Sequence, residues 1–131
     1  MALQIREEQA KILLEQHYDT AAKLLEDDQI IFQLIRALEA KIITISLEEN
    51  SLTQVPLMVS FIKEYALKNY PDASHETIQS IVSAMIYFLS TNDMIFDSVP
   101  ELGYVDDAAV IGYCYKVNEK ELLQFKRWKA L

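Results

Sequence analysis

The chain has 131 residues, of which 51 % are hydrophobic and 24 % charged, and its formal net charge is −8. That size and balance predict one folded domain in place of a disordered chain or two domains. The acidity excludes a general binder of phosphate backbones, which needs a cationic footprint to release counterions, so no nucleic-acid partner is expected.

Only two glycines and three prolines are present, so turns are few and the elements between them are long. Such elements read as helices. The opening Met-Ala-Leu-Gln-Ile-Arg-Glu-Glu turns charged before an apolar run forms. It therefore predicts no secretory signal and a cytoplasmic protein. The first helix is expected over about 3–26, because Ala10, Leu13, Leu14, His17, Ala21, Leu24 and Leu25 recur at three- and four-residue steps. His17 falls in that stripe and reads as a packed residue at its edge. Neither it nor His75 has a cysteine or histidine at metal spacing.

Asp27 and Asp28 are placed to cap a second helix, over 28–46. Its Ile31, Ile35, Leu38, Ile42 and Ile45 form a short heptad seam. The seam serves either an intramolecular bundle contact or a homodimer. Its end, Ile42 to Leu47, also alternates like a strand, but no second strand exists to pair with it. Ser51 and Gln54 have capping-box spacing, and Pro56 sits where a first helical turn tolerates it. That third helix runs through Met58, Phe61, Ile62 and Tyr65 to about Asn69 and stops at Tyr70-Pro71-Asp72-Ala73.

Ser74 or Asp72 starts a fourth helix of a different kind. Ile78, Ile81, Val82, Ala84, Met85, Ile86, Tyr87, Phe88 and Leu89 cover nearly its whole circumference, which makes it central. The uncharged run from Thr77 to Asn92 would be about 24 Å long as a helix, short of the roughly 30 Å of a bilayer's hydrocarbon. It reads as the core helix of a soluble bundle.

Residues 90–107 depart from this pattern. They bring Asp93, Asp97, Asp106, Asp107, Pro100 and Gly103 among Met94, Ile95, Phe96, Val99, Leu102 and Tyr104. An apolar connector of this kind is expected to be ordered and packed down. In it Asp93 caps a turn and Asp97 bonds free N–H groups around Pro100. Gly103 takes a positive φ, Asp106 is the N-cap of the last helix, and Asp107 meets that helix's positive end. The same four aspartates are the weak candidates for a hard-cation site, although no EF-hand spacing is present.

The last helix is expected from Asp106 to Trp128 as one long element with a bend. Recapping at Asn118 and Glu121 is the alternative. Ala108 and Gly112 present a small-residue face for close approach of another helix. The lone cysteine, Cys114, has no disulfide partner in the chain and reads as a buried reduced thiol. Residues 1–113 hold 7 Lys and Arg against 18 Asp and Glu, a net of −11, and residues 114–131 hold 5 against 2, a net of +3. Phe125, Lys126, Arg127, Trp128 and Lys129 therefore form a basic, aromatic candidate interaction face, although cations there also complement the helix dipole.

No Gly-x-Ser-x-Gly elbow, phosphate loop, His-Glu-x-x-His or Cys-His arrangement occurs, so no catalytic residue and no cofactor is assigned. Residues Tyr87 to Gly112 resemble the bacterial YkvA-like family, the DUF1232 domain. The likeness rests on Tyr87, Ser90, Asp93, Ile95, Asp97, Pro100, Leu102, Gly103, Tyr104, Asp106 and Asp107, and extends over roughly 57–129. Two family prolines are Thr91 and Phe96 here, which loosens the turn. The resemblance brings no activity with it, but some family members carry the domain beside membrane segments.

The expected architecture is thus an all-α, single-domain bundle of about five helices, with the connector at 90–106. The expected function is a non-enzymatic module that binds another protein. The rivals are a peripheral membrane protein using the C-terminal helix, an immunity-like inhibitor of a basic toxin, and a carboxylate metal-binding protein.

Overall fold

The computed structural model describes the backbone of residues 2–44, 52–93 and 100–130, and within them the side chains of 7–44, 52–89 and 108–130. Its elements are all helical: α1 (Ala2–Glu15), α2 (Tyr18–Leu24), α3 (Asp28–Thr44), α4 (Val55–Ala66), α5 (His75–Asp93), α6 (Pro100–Val117) and α7 (Glu119–Ala130). α5 is the pillar of the bundle. Ile78, Ile81, Val82, Ala84, Met85 and Phe88 are fully buried on it, and α1, α2, α3, α4 and α6 all pack against it. A helix that is apolar on every side has to be enclosed in this way.

The first expected helix is two. After α1 the Leu14 carbonyl takes the His17 N–H in a 3₁₀-type bond of 3.2 Å and also accepts from the Ser83 hydroxyl of α5. Gln79 donates to the Tyr18 carbonyl at 3.0 Å on the other side of the break. Donors from the pillar thus satisfy carbonyls on both sides of the interruption, which neither glycine nor proline marks. α3 begins as expected, with Asp27 Oδ1 accepting the Gln29 N–H at 3.0 Å and the Ile30 N–H at 3.4 Å. Its seam is spent inside the chain: Ile31, Ile35 and Leu38 are buried where α3 packs on α4 and α5. Ile42, among the described residues, is partly buried against the same core. Ile45 lies outside them.

α4 carries Pro56 in its first turn, with Gln54 as N-cap making no side-chain cap bond; Ser51 lies outside the described residues. It ends at Ala66, earlier than the expected Asn69. Lys68 stands at φ 64°, while the Asn69 N–H reaches the Glu64 carbonyl at 2.9 Å and the Lys68 N–H reaches Tyr65 at 3.0 Å. Those two bonds make a Schellman ending with lysine where glycine is usual. Ser74 then caps α5, its Oγ accepting the Thr77 N–H at 3.2 Å.

The connector is shorter than expected, since helix advances into it from both sides. Ser90 and Asp93 belong to α5, and Pro100, Gly103, Asp106 and Asp107 belong to α6, so Asp106 is not an N-cap and Gly103 is not in a left-handed turn. Pro100 explains the early start. Its missing N–H is one that a first helical turn leaves unpaired anyway, and its fixed φ already suits a helix.

Gly112 also departs from expectation. It is exposed, and a β-carbon added there would meet nothing within 4 Å, so no helix approaches it closely. The last long element is broken at Asn118, whose Nδ2 donates to the Cys114 carbonyl at 2.8 Å and to Ser80 Oγ at 3.0 Å. Glu121 does not close a capping box on Asn118. It accepts the Ser74 N–H at 3.2 Å, where α5 begins.

Candidate functional site

Two regions of the bundle carry unusual chemistry. The first lies near the C-terminal end of α5, beside the aspartate segment. There Lys41 of α3 is only 6 % exposed, donates to the Phe88 carbonyl, and holds its ammonium 3.8 Å from the centroid of the Phe88 ring. A carbonyl near the negative end of a helix and an aromatic face are both favourable surroundings for a cation taken out of water. The sequence reading missed Lys41. The signal was present, because 31, 34, 38 and 41 continue the buried stripe of α3 and put a lysine on it.

Of the residues expected in the aspartate segment, the structure gives backbone positions only. Asp93 closes α5, Pro100 opens α6, and Ser90, Gly103, Asp106 and Asp107 are helical. Asp97 lies outside the described residues, as do the side chains of the other six. Among the described residues no cluster of three or more His, Cys, Asp or Glu is placed to hold a metal ion. Cys114 is fully buried beside Ser80 at 3.6 Å, and burial pushes its thiol pKa up to about 11, which keeps it protonated and inert.

The second region is where α7 crosses the end of α4 and the turn into α5. Four aromatic rings meet there: Phe61 and Phe125 at 5.2 Å, Tyr70 and Phe125 at 5.1 Å, and Tyr70 and Trp128 at 4.9 Å between centroids. Edge-to-face pairs such as the first two match the ring quadrupoles. Phe125 is fully buried, so it is a core residue and leaves the expected interaction face. The reason is phase: Leu122 and Phe125, three apart, are the face by which α7 docks.

Trp128 is the outermost ring, stacked on Phe125 at 26° between planes and 36 % exposed. At the C-cap of α4, between Glu64 and Tyr70, which both touch the end of α7, Leu67 is 47 % exposed. Lys68, Lys126 and Arg127 are exposed at the same end and have no ion-pair partner among the described residues. Lys129 is paired with Glu64 at 2.6 Å. This end therefore exposes two apolar side chains and several cations, on a chain that is acidic overall. Lys68 and Leu67 join the face that the sequence assigned to α7 alone.

With this geometry in place the chain can be set beside known proteins. Residues 77–113 match the family model described as "Protein of unknown function (DUF1232)". This stretch is similar to the DUF1232 domain. It comprises most of α5, the pillar, and the first part of α6, which packs on it, and lies inside the 57–129 span over which the motif resemblance extends. A relative from Bacillus subtilis (strain 168), the "Uncharacterized membrane protein YkvA", is 27 % identical over 78 residues, which cover 60 % of this chain and 74 % of the relative. No solved structure matches. Among the described residues no helix of this chain is long and apolar enough to cross a membrane.

Proposed function

We propose that this chain is a non-catalytic helical module that attaches peripherally to the cytoplasmic face of a membrane, through the end of the bundle formed by α4 and α7. The observation that carries the reading is the half-exposed Trp128 and the exposed Leu67 at one end of the bundle, with Lys68, Lys126 and Arg127 exposed there too. Tryptophan with a wet edge suits the headgroup level of a bilayer, and cations beside it add attraction to acidic lipid. The name of the Bacillus relative, a membrane protein, supports the same reading. It keeps the non-enzymatic module expected from the sequence and makes its first partner a lipid surface in place of a protein.

The rival explanation for the cations is intrinsic to α7, since positive side chains in a last turn stabilise any helix. The two are separated by flotation of the purified chain with liposomes, together with Trp128→Ser and Arg127→Gln. The account expects the parent to rise with the lipid and both folded variants to rise less, with Arg127→Gln melting close to the parent and Trp128→Ser, which loses a ring packed on Tyr70 and Phe125, melting lower. A parent that stays at the bottom of the gradient with every lipid tested would refute membrane attachment.

A further inference from the structure

Acids also stand at this end: Asp72 and Glu121 act on Tyr70, whose ring touches Trp128, and Glu64 is ion-paired with Lys129. Glu64 of α4 is the more covered member of its ion pair, with 17 % of its side chain exposed against 48 % for Lys129. It also accepts from Asn69 Nδ2 at 2.9 Å. The hydrogen bond from Lys129, and then that from Asn69, hold its carboxyl below the usual range, so it is ionised at neutral pH. The pair lies one turn of α4 before Leu67 and one residue beyond Trp128, at the same end of the bundle.

We infer that this surface takes anionic headgroups, and that Glu64 limits its affinity by holding Lys129 in an internal ion pair. The inference rests on the membrane reading above. A phosphate-bearing surface approaching this end meets Lys68, Lys126 and Arg127 as cations with no ion-pair partner among the described residues. Lys129 can meet it only after leaving a carboxylate at 2.6 Å, and that carboxylate then faces the lipid with its own negative charge. Removing the Glu64 charge while keeping its shape releases Lys129 and removes a repulsion in one step. Each cation near an anionic membrane surface is worth about 1 kcal/mol, or roughly fivefold in partitioning.

The test is partitioning of the full chain onto vesicles of phosphatidylcholine alone and of phosphatidylcholine mixed with phosphatidylglycerol. The proteins compared are the parent, Glu64→Gln, Lys129→Met, the Glu64→Gln/Lys129→Met double variant and Arg127→Met. The expected results are preference for the mixed vesicles, about fivefold or more tighter partitioning for Glu64→Gln, little loss for Lys129→Met in the parent, and cancellation of most of the gain in the double variant. Equal binding to both vesicle types would leave membrane attachment standing and overturn the anionic preference. Unchanged or weaker partitioning of a folded Glu64→Gln, or a loss in Lys129→Met as large as in Arg127→Met, would overturn the restraint by Glu64. Absence of binding by every protein to both vesicle types would overturn the attachment reading and this inference with it. Should Glu64→Gln fail to fold, the comparison of Lys129→Met with Arg127→Met decides the point alone.

Discussion

His17 shows how one side chain links the sequence pattern to a measurable property. It stands between α1 and α2, half-buried, its ring tilted against Tyr87 at 6.0 Å, and burial lowers its pKa from the ordinary value near 6.5. The native protein therefore binds fewer protons at this site than the unfolded chain. Stability from a neutral, buried imidazole is complete above the unfolded pKa and is lost as pH falls through the folded one. Melting temperature should accordingly decline below about pH 6.5, and His17→Gln should flatten that decline relative to the parent. An identical decline in both proteins would place the proton uptake elsewhere. The packed role of His17 and the buried thiol of Cys114 were readable from their apolar neighbours in the sequence. Lys41 was not, because a charged residue on a buried stripe reads as a gap in the stripe until its partner is seen.

At the scale of elements, helix type and approximate position were legible and the breaks were not. The all-round apolar stretch gave α5, Asp27 gave the start of α3, and Pro56 and Ser74 gave the starts of α4 and α5. The divisions at 16–17 and at Asn118 depend on side chains of α5, Ser83 and Ser80, that lie far off in sequence. Local pattern holds no trace of them. α6 begins at Pro100 because a proline read as a turn residue is equally a first-turn helix residue, and only the conformation of the residues after it separates the two roles. Gly112 in the same helix gives a direct check. It faces open space in a helix interior, so Gly112→Ala should raise stability by about 0.5–1 kcal/mol. Chemical denaturation measures this, and a destabilised variant would mean that another helix does approach that face.

For the whole molecule, the stretch that matches the DUF1232 model supplies the pillar and one flank, and the flanking helices complete the enclosure. The expected all-α bundle follows from that arrangement. The aromatic end does not follow from local sequence, since it joins Glu64 to Lys129 and Phe61 to Phe125 across nearly half the chain. Sequence alone marked Phe125, Lys126, Arg127, Trp128 and Lys129 as one face. Folding sends Phe125 into the core, pairs Lys129 with Glu64, and sets Leu67 and Lys68 at the same end, between Glu64 and Tyr70, which both touch α7. The chain contains a single tryptophan, which stands at the tip of the proposed contact and serves as its reporter. Its emission should shift to the blue, and its quenching by acrylamide should fall, as vesicles containing phosphatidylglycerol are added to the folded protein. Emission and quenching that stay constant through a full lipid titration would contradict the account.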